Sequence, residues 1–305
     1  MNKLYLLYLI MLINTHGARF FGGQIDSIDK GFLALGHQLT DDMEKADLVY
    51  CNNAWYDTVI EAKQKGKIKG KVILNILDAA KHITSFPMKK LKEQVVFADA
   101  ITTISQTVAD DLLIRGNIES HVIYNPIKPV SYTGIVKYNY KYMFAGRVCD
   151  PEKRSILAIN ALSLLDADPA DSITVGSESH GYGHYVGPVA DEVISDLYNS
   201  VKFVLVPTRN AFLGLPIFEA ISGGSVPVIT NDIDIRQEFF GPIEEYASVD
   251  PTPESIANFI AYFSRNNEAY YNFKMKLQKH FKENFEEKLS PVGVAKRIID
   301  VYNFL

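Results

Sequence analysis

GLPIFEAISGGSVPV, residues 214–228, sets one carboxylate, Glu219, in an otherwise apolar turn of helix that runs into two glycines and a strand split by Pro227. Pro216 suits the first turn of a helix, because it has no N–H to lose there. The helix is short and closes at Gly223, after which Val226, Val228 and Ile229 read as a buried strand. Helix, tight glycine turn and buried strand together indicate an α/β protein. Burying a polar group without a partner costs about 2–7 kcal/mol. Glu219 therefore needs hydrogen-bond donors, either from the protein or from a ligand.

The same alternation extends outward over the chain. In the first half, LYLLYLIMLI (residues 4–13) reads as a fully buried parallel strand. It superficially mimics a signal peptide, with Lys3 before it and THGA after it, but is too short to span a bilayer. A glycine loop containing Gly22 and Gly23 follows, then a helix with Ile25, Ile28, Phe32, Leu33 and Leu35 at helical spacing, closed by Gly36. ADLVYCN (46–52), GKVILNIL (70–77), DAITTIS (99–105) and HVIYNP (121–126) read as further strands. ADLVYCN arrives so soon after GHQL that a strand and a helix are expected to be missing between them. Pro126 and Pro129 break the chain, and residues 127–140 show no helical period and little core material, so a domain boundary is expected there. Strands at 141–147, 172–177, 184–189, 201–208 and 225–231 follow, alternating with helices at 155–165 and 190–200, before a helical tail from Pro253 onward. The expected fold class is α/β, with two doubly wound domains in tandem.

The chain has 305 residues and a formal net charge of −5, with 15 basic against 14 acidic residues in 1–130 and 16 against 22 beyond. Without a basic excess, nucleic acid is a poor partner. Lys63 to Lys71 (KQKGKIKGK) is one local basic run. It is read as solvated loop, with a peripheral membrane contact or an anionic substrate as the alternative. Cys51 and Cys149 cannot build a disulfide framework, and no CxxC pair exists for zinc, which points to a reducing, cytoplasmic setting.

Open α/β sheets bind ligands beyond the carboxyl ends of their strands, and three stretches stand there. FAGRVCDPEKR places Arg147 directly after a strand and Lys153 at the start of the next helix. A planar guanidinium beside a compact ammonium suits a diphosphate, with an ion pair to Asp150 or Glu152 as the structural alternative. The N-terminus of the helix opening at Gly214 and Leu215 offers backbone N–H groups and a favourable dipole to an anion. Glu219, one turn inside, can accept hydrogen bonds from a vicinal diol. Gly22 and Gly23 let main chain approach a ligand closely. His180 and His184 lie in a glycine-rich loop and carry no metal signature.

With these residues in place, the second half resembles the donor half of the GT-B fold retaining glycosyltransferases of glycosyltransferase family 4. GRVCDPEKR resembles the family's GRxxxxxKG motif, and residues 185–208 and 212–230 resemble its most recognisable block. FFGGQ, LALGHQL, FADAITTISQTVADDL and HVIYNP resemble its acceptor half in order and spacing. The resemblance implies an acceptor domain over 1–130, a donor domain over 131–290 and a helix over 291–305 crossing back to the first domain. It implies that Arg147 and Lys153 hold the donor diphosphate and that Glu219 binds the ribose hydroxyls. Main chain near Val189 would meet the base, while Gly22, Gly23, Gly214 and Leu215 would line the phosphate and sugar. The partner is then a nucleotide sugar and an unidentified acceptor (glycan, lipid-linked sugar, protein or modified DNA), with no cofactor and no metal.

The chain departs from the family pattern in four places. The family's second glutamate, eight positions before Glu219, is Ala211 here, with Arg209 and Asn210 as neighbours able to substitute. Its KG is Lys153-Arg154, and its Asn-Gly is Asn125-Pro126. Its histidine after the fourth strand falls on Leu77 or Asp78, which leaves Asp78 and His82 as catalytic candidates. Alternatives to a transferase are a nucleotide-sugar-binding protein without turnover and a GT-B nucleotide-sugar epimerase. A nicotinamide-dependent dehydrogenase lacks its sequence signal, since no GxGxxG follows a strand.

Overall fold

A computed structural model describes residues 10–16, 24–52, 56–77, 88–128, 130–209, 214–233, 235–246 and 249–305. The chain forms two units, one ending at Pro126 and completed by Leu289–Leu305, the other running from Ile127 to Lys288.

In the first unit the elements are β1 (Leu12–His16), α1 (Gln24–Ala34), β2 (Gln38–Leu39), β3 (Leu48–Asn52), α2 (Tyr56–Gln64), β4 (Lys71–Ile76), α3 (Met88–Val95), β5 (Ala100–Thr103), α4 (Gln106–Gly116) and β6 (His121–Val122). The strands pair in parallel in the order β2-β1-β3-β4-β5-β6. β1 thus has its sequence successors on opposite sides. The run expected to be a strand over 4–13 ends inside β1, which continues to His16 because Asn14 and Thr15 find partners: Asn14 donates to the Thr40 carbonyl at 2.8 Å and Thr15 to Asp29 at 2.5 Å. Residues 4–9 lie outside the described set. β2 supplies a two-residue edge strand between α1 and β3, where one was expected to be missing, and residues 40–47 hold no helix, as expected.

Ile25, Ile28 and Phe32 of α1 are buried as their spacing predicts, but Leu33 is 54% exposed. The covering partner of α1 comes from the far end of the sequence. α12 (Pro291–Asn303) brings Val294, Ala295, Ile298 and Ile299 into one core with Ile13, Ile28, Phe32, Leu48 and Tyr50. The contact is close enough that a Cβ on Gly31 would meet the Pro291 carbonyl oxygen at 2.1 Å. α12 thus belongs to the first unit. Inside the sheet, Asn75 donates to Asn52 at 3.1 Å and Thr102 donates to Asn75 at 3.0 Å, a buried polar ladder across three strands in register. Four lysines of the basic run hold carboxylates of their own unit: Lys63 and Lys71 pair with Asp99, Lys65 with Glu61, and Lys67 with Glu44. Among the described residues, no helix is long and apolar enough to cross a membrane.

The second unit contains β7 (Tyr142–Ala145), α5 (Ser155–Leu164), β8 (Ser172–Val175), β9 (His184–Gly187), α6 (Asp191–Ser200), β10 (Phe203–Leu205), α7 (Leu215–Gly223), β11 (Val226–Val228), α8 (Arg236–Phe240), α9 (Pro253–Arg265) and α10 (Asn267–Asn284), with α11 (Glu286–Leu289) running into the first unit's closing segment. Its sheet, also parallel, has the order β11-β10-β7-β8-β9, so the chain reverses direction between β7 and β10. Phe218 of α7 packs on Phe239, Phe240 and Phe281, seating that helix in an aromatic core. Residues 127–140 hold more core than expected. Ile127 and Val130 are buried, Asn199 of α6 donates to the Ser131 carbonyl at 2.9 Å and accepts from the Thr133 amide at 2.7 Å, and Ser222 of α7 hydrogen-bonds the Val130 carbonyl. Sequence periodicity missed this because the segment packs as extended chain.

Ile298→Ala is expected to destabilise the protein by about 2–5 kcal/mol, while Leu33→Ala, one face round α1, changes stability by less than about 0.5 kcal/mol. Urea unfolding of both variants checks the assignment of the α1–α12 contact as core.

Candidate functional site

The strand order reverses between β7 and β10, and the carboxyl ends of two such strands are where doubly wound sheets place ligands. The loop leaving β7 begins at Gly146, whose φ of +96° only glycine adopts without strain. Gly176, at the end of β8, has φ +151°, and a Cβ there would meet the Gly146 carbonyl oxygen at 2.0 Å. The two loops therefore leave the sheet in contact. Arg147 comes next, its side chain 52% exposed and its guanidinium 3.3 Å from Asp150. Asp150 also caps the 3-10 turn Pro151–Lys153 by accepting from the Glu152 amide, and the Lys153 amide returns to the Asp150 carbonyl at 2.8 Å. The ion pair offered as a structural alternative thus exists, and it holds Arg147 and Lys153 on one short turn.

Across the reversal, the Arg209 amide donates to the Glu152 carbonyl at 3.0 Å, which ties the loop after β10 to the loop after β7. The Arg209 side chain is exposed. Arg154, read from the sequence as a tolerable loop change, does more. It sits at φ +48°, ψ +33°, the left-handed conformation that explains a glycine at this place in the family motif. Its side chain donates to the Pro207 carbonyl at 2.7 Å, to Thr230 at 2.9 Å and in fork fashion to both oxygens of Asp232, at 2.7 and 2.9 Å. Desolvation works to raise the Asp232 carboxyl, but the hydrogen bonds from Arg154 and Thr230 hold it below its ordinary value. One side chain thus fastens the start of α5 to the ends of β10 and β11.

α7 starts at Leu215 with Gly214 as its N-cap, Pro216 in its first turn and no hydrogen bond from a capping side chain. Gly214 is buried against Ile217, whose amide donates to its carbonyl at 2.7 Å. Glu219 is 7% exposed. Tyr198 of α6, fully buried, donates its hydroxyl to Glu219 Oε2 at 2.8 Å. Burial pushes the Glu219 carboxyl above its ordinary value, opposed by the Tyr198 hydroxyl and by the charge and main chain of Lys128. The Lys128 ammonium is itself 2.6 Å from Asp191 at the start of α6. Val189 lies half-buried between β9 and α6, β9 having ended at Gly187 rather than at 189.

Arg147, Lys153, Arg209, Gly214, Leu215 and Glu219 thus belong to elements meeting at one strand-order reversal, and Val189 lies just before the helix that carries Tyr198. Gly22, Gly23, Asp78, His82 and Ala211 lie outside the described residues. The sequence reading missed Tyr198 and Lys128. The signal for Tyr198 was its place in VISDLYNS beside Ile194 and Leu197 on the buried face of α6; Lys128 stands in a segment without helical period, and its ion pair with Asp191 spans sixty-three positions. In the first unit the corresponding reversal lies beside β1, where His16 stands at the carboxyl end with its imidazole held below its ordinary value by burial. Among the described residues, no three His, Cys, Asp or Glu side chains are grouped to hold a metal ion.

No protein-family model matches the chain, and no curated protein matches it by sequence. Solved structures do match it in fold. HepE of Anabaena, crystallised with UDP and glucose, superposes with a TM-score of 0.72 at 15% identity over 97% of this chain and 100% of its own. Sucrose-phosphate synthase of Thermosynechococcus elongatus gives 0.74 at 12% identity over 96% and 98%. WaaG, a glycosyltransferase involved in lipopolysaccharide biosynthesis, gives 0.67 at 12% identity over 95% and 99%. The chain has the GT-B fold.

A carboxyl whose folded-state pKa is raised contributes stability while protonated and loses it as pH rises through the folded value. Glu219→Gln is therefore expected to gain in melting temperature relative to wild type as pH is taken from about 4 to about 7. Parallel thermal melts across that range check the sign; a difference independent of pH would show that Glu219 is not held against its charge.

Proposed function

We propose that this chain is a retaining glycosyltransferase of family 4 that moves a sugar from a nucleotide-diphosphate donor, bound by the second unit, to an acceptor hydroxyl taken by residues 1–130. The observation that carries the reading is the gathering at one strand-order reversal of Arg147, Lys153 and the uncapped start of α7, with Glu219 one turn inside it. A diphosphate needs cations and main-chain donors, and a ribose needs a carboxylate acceptor beside it; this corner offers both. The HepE structures hold UDP with glucose and UDP-glucose, which supports a nucleotide sugar, uridine first, as the donor here.

In the transfer, the bond between the anomeric carbon and the diphosphate oxygen breaks while the acceptor oxygen bonds to that carbon on the same face. The acceptor's proton passes to the departing diphosphate oxygen. The protein's task is to hold charge ready for the leaving diphosphate, and Arg147, Lys153 and the α7 dipole do so as preorganised groups. With those cations in place the reaction is proposed to need no metal. The two cysteines stand as free thiols, which fits work in the cytoplasm. Ala211, in place of the family's second glutamate, favours one other reading, a protein that binds the nucleotide sugar without turnover.

Thermal shifts with UDP, GDP, ADP, their sugars and NAD are the direct measurement, since a ligand at 100 times its Kd adds about 2.7 kcal/mol of stability. One diphosphate family is expected to raise Tm in wild type and to lose most of the shift in Arg147→Ala. Slow release of free sugar from the bound donor separates an enzyme from a binding protein. A shift with NAD alone, or with none of these, sinks the reading.

A further inference from the structure

We propose that Arg154 is a positioning residue for the diphosphate, its side-chain clasp on the ends of β10 and β11 fixing the turn from which Lys153 meets the ligand. This rests on the reading of Arg147, Lys153 and the start of α7 as the nucleotide site. Arg147, Lys153 and Arg154 stand within eight residues of chain, yet the last of these cations faces the protein. A guanidinium has five N–H donors. Arg154 directs Nε at the Pro207 carbonyl at 2.7 Å, Nη1 at Asp232 at 2.7 Å, and Nη2 at Thr230 and Asp232, each at 2.9 Å. Its side chain is 16% exposed. With these four hydrogen bonds made, the guanidinium has no fork left to offer a phosphate.

What the clasp does reach is the chain on either side of Lys153. The Glu152 carbonyl, one residue before it, accepts from the Arg209 amide at 3.0 Å, and Arg154, one residue after it, binds Pro207, two positions before Arg209. Lys153 is thus bracketed by two attachments to one short stretch after β10. Its own amide is held as well, donating to the Asp150 carbonyl at 2.8 Å. The left-handed backbone of Arg154, at φ +48°, strains a residue with a Cβ. Glycine would relieve that strain and lose the clasp. Lysine would keep the charge, but a single ammonium cannot span three partners as a planar fork does. Burial works to raise the Asp232 carboxyl, yet the hydrogen bonds from Arg154 and Thr230 hold it below its ordinary value, so the fork closes on an ionised group.

Isothermal titration of the full chain with UDP, GDP and ADP, and then of its variants with whichever binds most tightly, tests this. Arg154→Gly and Arg154→Lys are both expected to weaken binding by about tenfold, the effect of misplacing one hydrogen bond to a charged group. The lysine variant keeps the charge and the glycine variant relieves the strain, so equal losses leave the clasp as their common cause. Asp232→Asn removes a negative charge beside the clasp, which by charge alone would favour an anion; it is expected to weaken binding instead, and it keeps the fold testable should the Arg154 variants unfold. In a Lys153→Ala background, Arg154→Gly is expected to add less than about twofold, since the clasp then has nothing to position. Full binding by Arg154→Lys, tighter binding by Asp232→Asn, or the same loss from Arg154→Gly with and without Lys153 overturns the positioning role. Absence of binding by any of the three diphosphates in wild type overturns the nucleotide site itself, a distinct result.

Discussion

A parallel sheet must be covered on both faces, because its crossover connections leave one strand end and return to the other. Most of this molecule follows from that constraint. Each sheet grows outward from its first strand in both directions, and at the place where growth reverses, two neighbouring strands send their following helices to opposite faces. The loops part there and leave a crevice that no helix can fill. In the second unit the reversal falls between β7 and β10, and Arg147, Lys153, Arg209 and the start of α7 all belong to the loops that part. The position of the candidate site is thus a consequence of strand order.

A crevice between parting loops binds well only if the loops are rigid. Two devices stiffen this one. The amide of Arg209 and the carbonyl of Glu152 join the two loops by main chain. Arg154 accepts a left-handed backbone, a conformation costly for a residue with a Cβ, and uses its side chain to tie Pro207, Thr230 and Asp232 together. Glycine at this position, as in the family motif, would adopt the turn without strain but could not make the clasp. Lys153 next to it is then carried on a turn held at both ends, and the same logic applies to Glu219, held by Tyr198.

Much of this was legible in advance. Buried strands announce themselves as short β-rich apolar runs, and glycines with Pro216 mark where helices begin and end, so the α/β class and the order of the elements, the short edge strand β2 excepted, could be read directly. The motif residues Arg147, Lys153 and Glu219 were identifiable because their chemistry depends on residue type and on position after a strand. Misreadings fell where packing outweighs periodicity. Leu33 shares the apolar spacing of α1 yet faces solvent, and residues 127–140 have no period yet bury Ile127 and Val130. β6 and β9 end earlier than their apolar runs, because an edge strand is only as long as the neighbour it pairs with.

By itself the sequence determined the local elements, since backbone preference and hydrophobic period act over a few residues, and it determined which side chains could meet a phosphate or a diol. Only the tertiary structure decided what holds them. The cover of α1 by α12, nearly the whole chain apart, the clasp of Arg154 on Asp232 seventy-eight positions later and the Asn199 side chain on the Ser131 carbonyl are contacts between distant segments. Hydrogen bonds and van der Waals contacts depend on distance in space, and the sheet fixes that distance only once its strands have been put in order.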